Sequence, residues 1–194
     1  MTQHIIILGG GFGGTYTALQ LEKLIKKDKL DYKISLVNKD NYFVFQPMLA
    51  EIVGGSLDML DTINPLRKLL PKTQLYVREI ESIDLEKKQV SLAPKYTHQN
   101  FTLSYDHLVL ALGNVTDFRG IAGLHEHAMP FKNLADSIAI RNQVIDVIEA
   151  ASYEKRPELK KALLTFVVGG GGYSGTEVVA ELNDLCRSLV KSYP

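Results

Sequence analysis

The residues with the clearest chemical meaning in this chain are glycines. In IIILGGGFGGTYTALQL, Gly9, Gly11 and Gly14 have G-x-G-x-x-G spacing, with an apolar run before them and a helical pattern after. At such a turn Gly9 permits the tight bend and Gly11 lets the backbone approach a pyrophosphate. Gly14 lets the helix pack closely on the strand, with its N-terminus towards the anion. FVVGGGGYSGTE repeats the pattern and offers two registers. Gly169 and Gly171 would put Ser174 in the third position, whereas Gly170, Gly172 and Gly175 fill all three. The two loops lie 161 residues apart, from Gly9 to Gly170, and together they point to two bound nucleotides.

Other residues bear on that chemistry. The second strand of such a fold commonly ends in an acid that grips the ribose hydroxyls. Here Asn38, in SLVNKD, holds that place; its amide oxygen accepts a hydrogen bond but lacks the charge that strengthens one. Asp40 is a second candidate, two residues on. Glu177 has two readings. Ser174 to Glu177 fits a capping box, which would put Glu177 in the first turn of the helix. Alternatively, the carboxylate lies beside the reacting ring of a dinucleotide and takes a hydrogen bond from its carboxamide or a nearby donor. His125-x-His127 lacks a third ligand at matching spacing, so no metal site is expected. Cys186, the single cysteine, excludes an internal disulfide or dithiol and reads as a small buried hydrophobe.

The elements that must position these residues follow from periodicity. Ile5 to Leu8 reads as a buried parallel strand. A helix follows with Ala18, Leu21, Leu24 and Ile25 on one face. YKISLVNKD (32–40) is a second strand, and NPLRKLLP (64–71) a short helix with Asn64 as cap and Pro65 in its first position. Between Tyr76 and Tyr105, YVREIESIDL, KKQVSLAP and FTLSY predict a small antiparallel meander. HLVLALG (107–113) reads as another buried strand and GIAGLHEH (120–127) as a loop. Residues 133–151 form an amphipathic helix through Ile140, Val144, Val147, Ile148 and Ala151. A charged linker leads to a strand, LLTFVV, before the second glycine loop. The chain is thus α/β: a Rossmann-like domain with a parallel sheet and a small antiparallel meander, followed by the start of a second Rossmann-like domain. A βαβ unit needs about 30 residues; since the helix closes at the final YP before a returning strand, the second unit is expected to be incomplete.

Bulk composition narrows the class. The chain has 194 residues, 45% hydrophobic, with Lys plus Arg and Asp plus Glu at 22 each. That balance gives no basic surface for nucleic acid. The sequence has no secretory signal and no apolar run approaching a membrane span, as expected of a cytoplasmic α/β protein.

The sequence resembles the FAD-dependent pyridine nucleotide oxidoreductases and, within them, the type II NADH dehydrogenases, which are NADH:quinone oxidoreductases without proton pumping. The resemblance runs through most of the chain. It is carried by NYFVFQPMLAEIVGGSLDMLDTINPLR (41–67), YDHLVLALGNVTDFRGIAGLHEHAMPFKNLADSIAIRN (105–142) and FVVGGGGYSGTEVVAEL (166–182). It implies an FAD-binding portion at 1–118 and an incomplete NAD(P)H-binding portion at 119–194. Gly9, Gly11, Phe12, Gly13 and Gly14 would hold the FAD pyrophosphate, and Asn38 with Lys39 beside it would take the ribose position. The backbone near Ile80 would meet the adenine, and Ala111 and Gly113 would pass close to the flavin. Gln46 and Pro47 of the FQP segment would approach its ring. Gly170, Gly172, Tyr173, Ser174 and Gly175 would hold NADH, with Glu177 near the nicotinamide. The implied partners are NADH and a quinone; for the full-length protein, the resemblance adds peripheral attachment to the cytoplasmic face of the inner membrane and a homodimer. The 194 residues alone are expected to bind FAD weakly and to oxidise little NADH. Two other readings stay open: a soluble FAD/NAD(P)H reductase with a different acceptor, and a non-catalytic dinucleotide-binding redox sensor. Disulfide reductases usually carry a cysteine pair near the flavin, and no cysteine precedes Gly169.

Overall fold

The computed structural model describes residues 2–94 and 101–193. Along the chain run β1 (Gln3–Leu8), α1 (Phe12–Asp28), β2 (Tyr32–Asn38), β3 (Tyr42–Val44), α2 (Leu49–Gly54), α3 (Met59–Thr62), β4 (Ile63–Pro65) and α4 (Leu66–Leu69). Then come β5 (Gln74–Val77), β6 (Ile80–Asp84), β7 (Gln89–Leu92), β8 (Phe101–Ser104) and β9 (His107–Leu110). Four helices follow: α5 (Leu124–His127), α6 (Leu134–Tyr153), α7 (Pro157–Leu163) and α8 (Tyr173–Leu189). The elements form two compact units, Met1–Val44 with Ile63–Asn114, and Phe45–Thr62 with Val115–Pro194.

The first unit is built on a parallel sheet of order β5-β2-β1-β9. Alternation along β1 separates two cores. Ile5 and Ile7 pack with Ala18, Ile34 and Leu36 on the α1 side. Ile6 and Leu8 pack with Val37, Val90, Leu92 and Leu103, so the antiparallel sheet β6-β7-β8 covers the other face. Burying each such isoleucine or leucine contributes about 1.5–3 kcal/mol. This is the architecture expected from the sequence, with local corrections. Tyr76 and Val77 pair in parallel with Val37 and Asn38, so the meander begins at Ile80 rather than Tyr76. Asn64 pairs with Phe43 in a short ladder instead of capping a helix, which leaves Pro65 as the cap of α4. Strand β9 is an edge strand, so its side chains are at most half-buried and Leu110 is 61% exposed. On α1, Leu24 is 48% exposed and Leu19 packs inward instead.

In the second unit, apolar side chains of α2, α6 and α8 share one core: Ala50, Val53, Val144, Ile148, Val178, Leu182 and Leu185. A full capping box starts α6. Asn133 accepts from the Asp136 amide at 3.0 Å, and Asp136 accepts from the Asn133 amide at 3.0 Å. The expected loop at 120–127 contains the short helix α5. The expected strand LLTFVV is not formed: Leu163 ends α7, and residues 164–171 carry no regular structure. A strand exists only through its ladder, and no strand of this unit lies among the described residues to pair with it. Gly55 ends α2 with φ +79°, and a Cβ there would run into the Arg141 guanidinium. Gly55→Ala should therefore lower stability by about 1–2 kcal/mol in denaturant unfolding, from the left-handed backbone alone.

His4 ties the first unit together away from the glycine loop. Its Nδ1 lies 2.8 Å from the Ser104 carbonyl oxygen, which can only accept, so Nδ1 carries the proton. Nε2 then accepts from the Ser35 hydroxyl at 2.8 Å. Burial pushes the His4 pKa below its usual 6.5, helped by Lys33 and opposed by the Ser104 carbonyl and Asp106. The folded state thus resists protonation that the unfolded state accepts. The stabilisation is complete above pH 6.5 and declines as pH falls through the lowered folded value. The melting temperature should drop between pH 7.5 and 5.5, and His4→Gln should show a smaller drop.

Candidate functional site

The first glycine loop sits where β1 hands over to α1. Gly9 has φ +103°, and a Cβ on it would strike the carbonyl of Ala111 just after β9. A Cβ on Gly14 would strike the carbonyl of Gly9, so the helix rests directly on the turn. Gly11 caps α1 with ordinary φ −79°, without a side-chain cap bond, and no acid lies in the first turn. A Cβ on Gly11 would meet nothing within 4 Å. The helix N-terminus therefore faces open space, the arrangement that attracts an anion.

Three side chains finish this corner. The Asn38 Oδ1 accepts from the Gly10 amide at 2.9 Å. The Thr15 hydroxyl, which is buried, donates to the Gly10 carbonyl at 3.0 Å. Ala111 stands beside Gly13, its Cβ 3.5 Å from where a Gly13 Cβ would be. Lys39 is exposed next to Asn38, and Ile80 is half-buried at the start of β6, paired with Leu92. Gly113 has φ +73° with open space around it. Neither the Thr15 bond nor the Asn38–Gly10 bond was read from the sequence. Gly10 occupies a variable position of the motif, and its partner is 28 residues away.

The second loop repeats this geometry and selects between the two registers. Gly170 has φ +116°, and a Cβ on Gly175 would strike the Gly170 carbonyl. Gly172 caps α8, as Gly11 caps α1, and Thr176 N–H donates to its carbonyl at 3.0 Å. The positive φ at Gly170, the helix cap at Gly172 and the close approach at Gly175 make the register Gly170, Gly172 and Gly175. The capping box expected at Ser174 and Glu177 is absent. Since Gly172 is the cap, Ser174 is the second helical residue and Glu177 the fifth, two residues further in than a capping box requires. Glu177 is exposed, and Tyr173 is 92% exposed. Gln46 and Pro47 are exposed in a short 3-10 turn of the second unit. His125 packs edge-on against Phe118 at 5.3 Å, and among the described residues no group of three His, Cys, Asp or Glu could hold a metal. Cys186 borders the apolar core of the second unit, and burial raises its thiol pKa.

The pyridine nucleotide-disulphide oxidoreductase family matches residues 3–191. The chain belongs to this family. It is 32% identical over 198 residues to the external alternative NADH-ubiquinone oxidoreductase of Yarrowia lipolytica mitochondria, covering 97% of this chain and 33% of that protein. It is 34% identical over 183 residues to demethylphylloquinone reductase NdbB of Synechocystis, covering 93% of this chain and 43% of that one. Among solved structures, NDH2 from Plasmodium falciparum in complex with NADH superposes with a TM-score of 0.87 at 28% identity. That match covers 98% of this chain and 39% of that one. The chain thus spans well under half the length of these family members.

The glycines of the first loop differ in what a methyl group would meet. Gly14→Ala should cost about 1–3 kcal/mol, because the methyl must displace a backbone carbonyl. Gly11→Ala should stay within about 1 kcal/mol, the ordinary difference between these residues at a helix cap. Urea unfolding of both variants checks the contrast.

Proposed function

We propose that this chain is the dinucleotide-binding portion of an FAD-dependent NADH:quinone oxidoreductase. The observation that carries the reading is the pair of open glycine turns, each capped by a glycine without a side-chain cap bond. The names of relatives that act on NADH and quinones support it. Each turn fits a pyrophosphate: a methyl at Gly11 or Gly172 would fill only open space, and no acid repels an anion from either first turn.

Residues 1–118 are assigned to FAD and 119–194 to the NADH portion. When bound, FAD would supply the redox chemistry between NADH and a quinone. The protein groups bind and orient. Gly9, Gly11, Phe12, Gly13 and Gly14 receive the FAD pyrophosphate, Asn38 and Lys39 border the ribose, and Ile80 borders the adenine. Ala111, Gly113, Gln46 and Pro47 are assigned to the flavin ring by their motif positions. Gly170, Gly172, Tyr173, Ser174 and Gly175 receive NADH. Glu177, exposed on the second turn of α8, can accept a hydrogen bond from the nicotinamide carboxamide. For the whole protein we assign peripheral attachment at the cytoplasmic face of the inner membrane and a homodimer. No helix among the described residues is long and apolar enough to cross a membrane. A thiol-based reductase is disfavoured because no cysteine precedes Gly169, where a pair near the flavin would be expected.

Flavin absorbance tests the proposal. The whole protein should hold FAD, lose its visible absorbance on adding NADH, and regain it with a quinone. Gly11→Ala should weaken FAD retention at least about tenfold, because the methyl stands where the pyrophosphate approaches. Absence of flavin, or flavin that NADH does not bleach, rejects the assignment.

A further inference from the structure

We propose that Asn38 is a positioning residue that holds the first glycine loop in its binding shape before any ligand arrives. The inference deepens the proposed function, since it rests on that loop being a dinucleotide site. The Asn38 amide is used at both ends: Oδ1 accepts from the Gly10 N–H at 2.9 Å, and Nδ2 donates to the Asp40 carbonyl at 3.0 Å. The backbone of Asn38 is pinned as well, its carbonyl accepting from the Arg78 amide at 2.9 Å. Thr15 takes the Gly10 carbonyl from the other side. Gly10 is thereby clamped through both its N–H and its C=O. This explains a glycine the motif does not require: a Cβ at position 10 would lie 2.7 Å from the Asn38 Cγ.

The clamp needs a donor and an acceptor on one short side chain, which an amide supplies. A carboxylate keeps the acceptor for Gly10 but turns a bare oxygen towards the Asp40 carbonyl. Asn38 is therefore not a weakened version of a ribose-binding acid. Its neutral amide makes the loop rigid, and one hydrogen and one lone pair remain for a ribose hydroxyl. The charged groups placed around it are Lys39 and Asp40 in sequence and Arg78 just past the end of β5. The Arg78 guanidinium donates to the Ala93 carbonyl at 3.1 Å, and the glycine loop brings no charge.

The test uses the intact protein with Asn38→Ala and Asn38→Asp. Without flavin, Asn38→Ala should speed hydrogen exchange at the Gly10 amide about tenfold, the loss of one hydrogen bond. Asn38→Asp should melt below wild type at pH 7.5. The gap should close towards about pH 4, where the protonated acid regains a donor. At pH 7.5 Asn38→Asp should hold FAD no more tightly than wild type. Unchanged Gly10 exchange in Asn38→Ala overturns the proposal. So does an Asn38→Asp protein that keeps its melting temperature and binds FAD more tightly, which would make Asn38 a ribose ligand lacking its charge. If wild type holds no FAD while the exchange and melting results appear as expected, the functional reading falls and the positioning role stands.

Discussion

One close approach organises the first unit. The carbonyl of Gly9 occupies the place where residue 14 would carry a side chain, so α1 begins in contact with the turn that leaves β1. That contact aims the helix N-terminus at the carboxyl end of the sheet, where backbone dipoles converge on open space. The seating of α1 on the turn and the openness of the site both depend on it. The alternation of Ile5 and Ile7 against Ile6 and Leu8 then seats α1 on one face and the antiparallel sheet on the other.

The same device recurs at Gly170 and Gly175, in a unit that has no strand among its described residues. The turn takes the same shape there. Its geometry comes from the left-handed backbone at Gly170, the helix cap at Gly172 and the missing Cβ at Gly175. The apolar seam of α2, α6 and α8 supports that helix, with Val178, Leu182 and Leu185 along its buried face. Segment 45–62 belongs to this unit although both its sequence neighbours lie in the other.

Much of this was legible because it is local. Strand β1, helix α1 and the amphipathic face of α6 are written in spacings of two to four residues, where periodicity acts. The misreadings share a cause. Tyr76 and Val77 joined the parallel sheet because β2 offered a partner, Asn64 was drawn into a ladder by Phe43, and LLTFVV stayed unpaired because the described residues of its unit offer no strand. The capping box at Ser174 and Glu177 failed because a glycine turn places the cap two residues earlier than the sequence pattern suggests.

The sequence by itself determined the two glycine registers worth testing and the α/β class, because each depends on missing side chains and short-range pattern. Only the tertiary structure decided what Asn38 does and why Gly10 is a glycine. Those answers depend on a hydrogen bond that crosses from the end of β2 to the first turn, spanning 28 residues of chain. No local pattern records such a bond, since its partners meet only after β1 and β2 have paired.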